Sequence, residues 1–157
     1  MSRQDILYMK RTRLYYEAQG FKTAYSWANF PDVPFTPLAK PLSKSTLTVI
    51  TTAALYERES TDPRNVASAS TRDPIIKLFA NDLAWDKETT HMDDLNSYFP
   101  ITHLRNLVKT ERIGALAEQF YCLPTEYSQR RTTEHDAPEI LARCRDTATD
   151  VALFVPL

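Results

Sequence analysis

The side chains best suited to nucleophilic or metal chemistry are three histidines and two cysteines in a chain of 157 residues. His91 stands close to Asp93 and Asp94. An imidazole with neighbouring carboxylates is a donor set that divalent metals accept. The spacing matches no established metal motif, however, and loop or helix-start carboxylates commonly satisfy backbone donors, which explains both aspartates without an ion. His103, next to Leu104 on a helical pattern, reads as structural, and His135, beside Asp136 at a helix start, reads as surface. Cys122 follows Phe120 and Tyr121 in a strand-like run, and Cys144 falls on an apolar helical stripe. Both read as buried, inert thiols rather than activated thiolates. They lie too far apart in sequence for a CxxC pair, which predicts reduced thiols in the cytoplasm rather than a disulfide framework. The residues alone expose no catalytic centre and no metal site.

Glycine narrows the field further, because the chain has only Gly20 and Gly114. A Walker loop or a GxGxxG turn needs clustered glycines so that backbone can approach phosphate. Built-in nucleotide sites of those types are excluded, as is a GxSxG hydrolase elbow. A net charge of -1 advertises no nucleic-acid or anionic-membrane partner. No apolar run approaches the roughly 18 residues of a membrane span, and the N-terminus lacks a secretory signal pattern. With 43% hydrophobic and 25% charged residues the composition is that of one ordinary globular domain.

The elements that must position any site follow from periodicity. Residues 1–20 read as a helix, with Ser2 and Asp5 as a capping box and Gly20 as a left-handed C-terminal cap. Its Lys10, Arg11 and Arg13 read as a solvated face. Residues 28–45 carry Pro31, Pro34, Pro37 and Pro41 and predict an extended arm, pinned to the body by Trp27, Phe30 and Phe35. The β-branched run 46–52 suits an inner parallel strand, 56–74 a loop, and 75–80 a second strand. A helix is expected at 101–111 and a third strand at 119–123. A second helix at 134–148 would be capped by Thr133, with Pro138 in its first turn and Ala137, Ile140, Leu141, Cys144 and Ala148 as its buried stripe. An apolar inner strand at 151–155 closes the pattern. Alternating strands and helices indicate a layered α/β domain, Rossmann-like or flavodoxin-like, with a mainly parallel sheet over 46–157. Leu47, Val49, Ile50, Leu104, Val108, Ile140, Leu141, Leu153 and Val155 are its expected core.

Three stretches together resemble a known family: VITTAAL (49–55), DDLNSYFPITHLRNLVKTERIGALAEQFY (93–121) and DTATDVALFVPL (146–157). The best element, D-x-N-x-x-F-P-x-x-x-L, is met by Asp94, Asn96, Phe99, Pro100 and Leu104 and followed by Ile113-Gly114. The pattern, from Pro37 to Leu157, resembles the selenoprotein B subunit family of glycine, sarcosine, betaine and D-proline reductases, especially its short single-domain relatives. The resemblance implies reductive chemistry in which a selenol or thiol attacks a small-molecule substrate and cleaves a carbon–heteroatom bond. It also implies a thioredoxin-like dithiol as electron donor, with no cofactor bound.

In those relatives a Cys/Sec-Pro-x-Cys-His motif directly follows the strand that ends in Val-Pro. The resemblance therefore places the nucleophile just after Leu157, and the expectation is that a UGA codon read as a stop ends the chain there. No catalytic residue is expected within the 157 residues. Thr51 and Thr52 at a strand end, with Asp94 and Asn96 in the polar loop 81–98, are the candidates for a substrate pocket beyond the carboxyl ends of the strands. Two other readings stay open: a non-catalytic α/β binding or subunit domain, and a metal-dependent hydrolase using His91 and Asp94. Self-association into a homo-oligomer through an uncovered sheet face is a further expectation.

Overall fold

The structure, a computed structural model, describes residues 7–57, 64–80, 91–126 and 128–157. The chain divides into two compact units, Met1–Phe35 and Thr36–Leu157. In the first, α1 spans Tyr8–Ala18 and ends as the glycine predicted: Gly20 takes φ +85°. The Gly20 and Phe21 N–H groups then donate to the Glu17 and Tyr16 carbonyls, and Tyr16 packs on Phe21. The Ser2–Asp5 capping box lies outside the described residues. Tyr25 stacks on Tyr16 and meets Trp27 edge-on, with the Arg13 guanidinium over the indole at 5.2 Å.

The proline-rich stretch 28–45 has no regular structure apart from a 3-10 turn at Leu42–Lys44. Within the first unit Phe30 and Phe35 are exposed, and Trp27 packs on Tyr25. Prolines at this spacing hold the backbone extended, leaving the intervening side chains no continuous face to bury.

In the second unit, Thr46–Thr51 forms β1, Ala67–Ser70 β2, Ala115–Leu116 β3, Gln119–Cys122 β4 and Val151–Val155 β5. β1 is the central strand. It pairs in parallel with β3 and then β4 along one side and with β5 along the other, in the register Leu47↔Val151 to Thr51↔Val155. β2 pairs antiparallel with β4. Three of the four ladders to β4 and β1 are therefore parallel, and the fold is the mixed α/β layout with a mostly parallel five-stranded sheet that the alternating pattern predicts. Side chains alternate across a strand. Leu47 and Val49 meet Phe120 and Cys122 on one face, under α3 (Ile101–Lys109), which buries Ile101 and Leu104. Ile50 and Tyr121 face the other way, under α5 (Ala137–Asp146), which buries Ile140 and Cys144. Gly114 leads into β3 so close to the turn before β1 that a Cβ there would stand 2.7 Å from the Lys44 carbonyl carbon. Only glycine fits.

Several expectations are corrected. The segment 75–80 forms one antiparallel bridge, Ala54↔Phe79, because both sides of β1 are already paired by β3, β4 and β5. The stretch 67–70, expected as loop, becomes β2 despite its small residues because the free side of β4 offers it a ladder. β5 is an edge strand rather than an inner one. Its alternating half-buried and exposed residues include Phe154 at 69% exposure, since an edge strand here is covered on one face only. Of the expected core, Leu47, Val49, Ile50, Leu104 and Ile140 are buried, Val108, Leu153 and Val155 are half-buried, and Leu141 is exposed. Ala137 and Ala148 are exposed as well, so the stripe of α5 is narrower than its sequence suggests. His103, expected to be structural, points to solvent from α3.

The second helix also starts earlier than 134. Ser128 caps α4 (Gln129–Arg131), its Oγ accepting from the Arg131 N–H at 3.2 Å. A π-helical turn, Thr132–Asp136, then joins α4 to α5. Thr133 does not cap; its hydroxyl donates to the Gln129 carbonyl. Pro138 supplies the reason for the π turn. It has no N–H for the Glu134 carbonyl, and its ring would clash with that carbonyl in a regular helix. The wider turn, with the Ala137 N–H donating to the Thr132 carbonyl, accommodates both problems.

Candidate functional site

Parallel pairing brings the carboxyl ends of β1, β4 and β5 to one edge of the sheet, at Thr51, Cys122 and Val155. Because β2 runs the other way, the residues that lead into Ala67 arrive at this same edge. Ligands of open parallel sheets collect beyond such an edge. Two polar corners occupy it.

The first holds the residues singled out from sequence. Thr51 is buried; its hydroxyl donates to the Tyr98 carbonyl at 3.1 Å and accepts from the Ala53 N–H at 3.2 Å. Thr52 Oγ1 accepts from the Leu157 N–H at 2.7 Å. Asp94 caps α2 (Leu95–Tyr98), its carboxylate accepting from the Asn96 N–H at 3.0 Å. The Asn96 side-chain carbonyl accepts from the Thr102 N–H at 3.3 Å. Thr51 and α2 are thus joined through Tyr98, but each of the four polar side chains holds backbone in place. Burial raises the Tyr98 phenol pKa, opposed by a backbone hydrogen bond with Leu78 and assisted by the charges of Asp93 and Asp94.

The histidines and cysteines lie apart from one another. His91 Nδ1 lies 3.4 Å from Asp93 Oδ2, with both side chains exposed. Among the described residues, no three His, Cys, Asp or Glu side chains converge as a metal centre requires. Cys122 is fully buried, and burial pushes its thiol pKa up to about 12. Burial raises that of Cys144 too. Burial thus disfavours the reactive thiolate at both positions. Between α5 and β5 lies an apolar groove of about 290 Å³, lined by Ile140, Leu141, Cys144, Ala152 and Phe154 among others.

The second corner was not anticipated. A cleft of about 600 Å³ opens between the residues before β2, the loop after β4 and the π turn. At its base Arg64 Nη1 donates to Asp136 Oδ1 at 2.9 Å, and Arg64 Nε donates to the Pro124 carbonyl at 2.8 Å. Asp136 is buried and Arg64 nearly so, with side-chain exposures of 8% and 10%. Glu126 accepts from the Ser128 N–H through Oε1 at 2.9 Å. Its Oε2 lies 3.9 Å from Arg64 Nε and 3.7 Å from Arg131 Nε, beyond hydrogen-bond length. Asp136 Oδ2 is sealed from solvent and, among the described residues, has no hydrogen-bond partner. Arg130, Glu134, His135 and Glu139 form much of the outer wall.

The sequence pattern places Asp136 at a helix start beside His135, which reads as surface. The earlier start of the helix and the π turn bury it instead. Ser128 ten residues before Pro138, in a stretch of helix formers, is the signal that could have shown this. Arg64 had no such signal, since it stands 72 positions from its partner. No family model matches this chain, and no curated protein or solved structure matches it either.

Proposed function

We propose that the core unit is a small-molecule-binding α/β domain whose ligand occupies the cleft of Arg64, Glu126 and Asp136. The observation that carries this reading is the cleft of about 600 Å³ whose lining brings together the charged side chains of Arg64, Glu126 and Asp136. The base is pre-organised: Arg64 is fixed by Asp136 and by the Pro124 carbonyl, and Glu126 by the Ser128 N–H. Its place beyond the carboxyl end of β4 supports the same reading. The test is a set of proton–nitrogen correlation spectra of the labelled protein with small amines, amides, carboxylates and phosphates. Saturable shifts at the Arg64, Glu126, Ser128 and Asp136 amides are expected. Shifts confined to the groove between α5 and β5, or none with any compound, contradict the proposal.

A second reading is a thiol- or selenol-dependent reductase of the selenoprotein B type, with a thioredoxin-like dithiol as reductant. It draws on the resemblance of 37–157 and on one observation, the register that sets Thr51 beside Val155 with the Leu157 N–H on Thr52. On this reading the substrate meets Thr51 and Thr52, with Asp94 and Asn96 shaping the adjoining loop. The nucleophile it requires is neither Cys122 nor Cys144, both protonated and buried. Alkylation with iodoacetamide near neutral pH checks that point. Both thiols should react only after unfolding, and rapid modification of either in the folded protein would contradict this account of the cysteines.

A further inference from the structure

We infer that β5 is a self-association strand, through which two copies of this chain pair antiparallel about a two-fold axis at Leu153. One side of β5 is taken by β1, and among the described residues no strand pairs with the other. Exposed edges are usually guarded by a charge, a proline or a bulge. Val151–Val155 is apolar throughout and its register on β1 is unbroken, so it carries none of these. Val151, Leu153 and Val155 pack against the core, which leaves Ala152 and Phe154 as the exposed side chains of the strand. Their ladder partners, Thr48 and Ile50, set both on the α5 face of the sheet. There they border the apolar groove together with Leu141, which is also exposed.

The occupant is a second copy because this edge is complementary to itself. Antiparallel pairing centred on Leu153 sets Val151 opposite the second copy's Val155, and Ala152 opposite the second copy's Phe154. The small side chain makes room for the large one at both ends of the ladder, and opposed residues on one face of such a pair are in contact. Pro156 would fall opposite Asp150, and having no N–H it ends the ladder there. A two-fold axis brings like against like, so a charged patch would repel its own copy. β5 has no charge, and Asp150, which lines the groove, is paired with Lys40 at 2.8 Å. Two five-residue strands side by side, with Phe154 and Leu141 covered in each copy, bury about 1,000 Å² in total. That is the small end of specific interfaces and predicts micromolar affinity, in a contact that closes at two copies.

The test is sedimentation equilibrium of the full chain from about 5 to 500 μM, with proton–nitrogen spectra recorded on dilution. A monomer–dimer equilibrium with a Kd of about 10–100 μM is expected, with dilution shifts at the Ala152, Leu153 and Phe154 amides. Phe154→Lys puts a charge on the edge at an exposed position and should weaken association by about tenfold or more. Should that variant fail to fold, Leu141→Ser carries the same test, with a loss of about threefold expected. A monomer across the whole range overturns the inference and leaves the groove to a different partner. A dimer whose dilution shifts fall on α1 while β5 is unmoved, or one that Phe154→Lys leaves as tight, overturns it as well. Mass that keeps growing past two copies contradicts the closed two-fold contact.

Discussion

The two polar corners on the carboxyl edge of the sheet differ in what their hydrogen bonds leave over. At the corner of β1 and α2, Thr51 serves Tyr98 and Ala53, Thr52 serves Leu157, Asp94 caps a helix, and Asn96 receives the Thr102 N–H. At the cleft, Asp136 is buried where Asp94 is exposed, and Glu126 Oε2 meets Arg64 and Arg131 only beyond hydrogen-bond length. Fully satisfied polar groups fix a loop, whereas charged groups lining an open cleft keep bonding capacity for a ligand. Polar residues near a strand end are therefore weak evidence of a site until their partners are known.

The sharpest way to break this comparison is to remove Asp136. Asp136→Ala leaves the Arg64 guanidinium buried without its counter-charge, and equilibrium denaturation should show a loss of about 3–5 kcal/mol. A loss near zero would mean that Arg64 reaches solvent and that the base of the cleft is not buried. At the other corner, Thr51→Val removes a buried hydroxyl that both donates and accepts, for an expected loss of about 1–3 kcal/mol. Asp94→Ala removes the cap of α2, for about 1 kcal/mol. Both variants should bind the compound that shifts the cleft amides as the unaltered chain does, and weakened binding in either would move the site toward β1.

A smaller effect is expected from Asp150, which lies outside both corners. Its carboxylate accepts from Lys40 and from the Thr46 N–H, at 2.8 and 2.7 Å, and these contacts lower its pKa, the Lys40 hydrogen bond most. A carboxyl with a lowered folded pKa adds stability that is present above its unfolded value and is lost as pH falls through the folded value. Acid unfolding followed by circular dichroism should therefore be less steep in Asp150→Asn, below the ordinary carboxylate range. Identical acid profiles would show that the contact adds nothing.

Much of the scaffold was legible because its signals are local. The β-branched run of β1, the 3.6-residue pattern of Ile101 and Leu104, and Gly20 behind α1 each act through neighbouring residues. The parallel arrangement of β1 and β5 followed from helices lying between strands. β2 was not legible, because Ala-Ser-Ala-Ser has little strand preference of its own and is recruited by β4. The edge position of β5 was hidden too, since an apolar run does not reveal whether one face or two are covered. For the site, the residue types at Thr51, Thr52, Asp94 and Asn96 were visible while their backbone partners were not. The Arg64–Asp136 pair depends on a tertiary contact and on a π turn forced by Pro138, and neither has a short-range pattern.

The most direct test of the central claim is a high-resolution crystal structure of the protein grown with the amine, amide, carboxylate or phosphate that shifts the cleft amides most. The account predicts that compound in the cleft, with a polar atom about 2.7–3.2 Å from the Arg64 or Glu126 side chain. The compound seated in the groove between α5 and β5, with the cleft empty, would contradict the account.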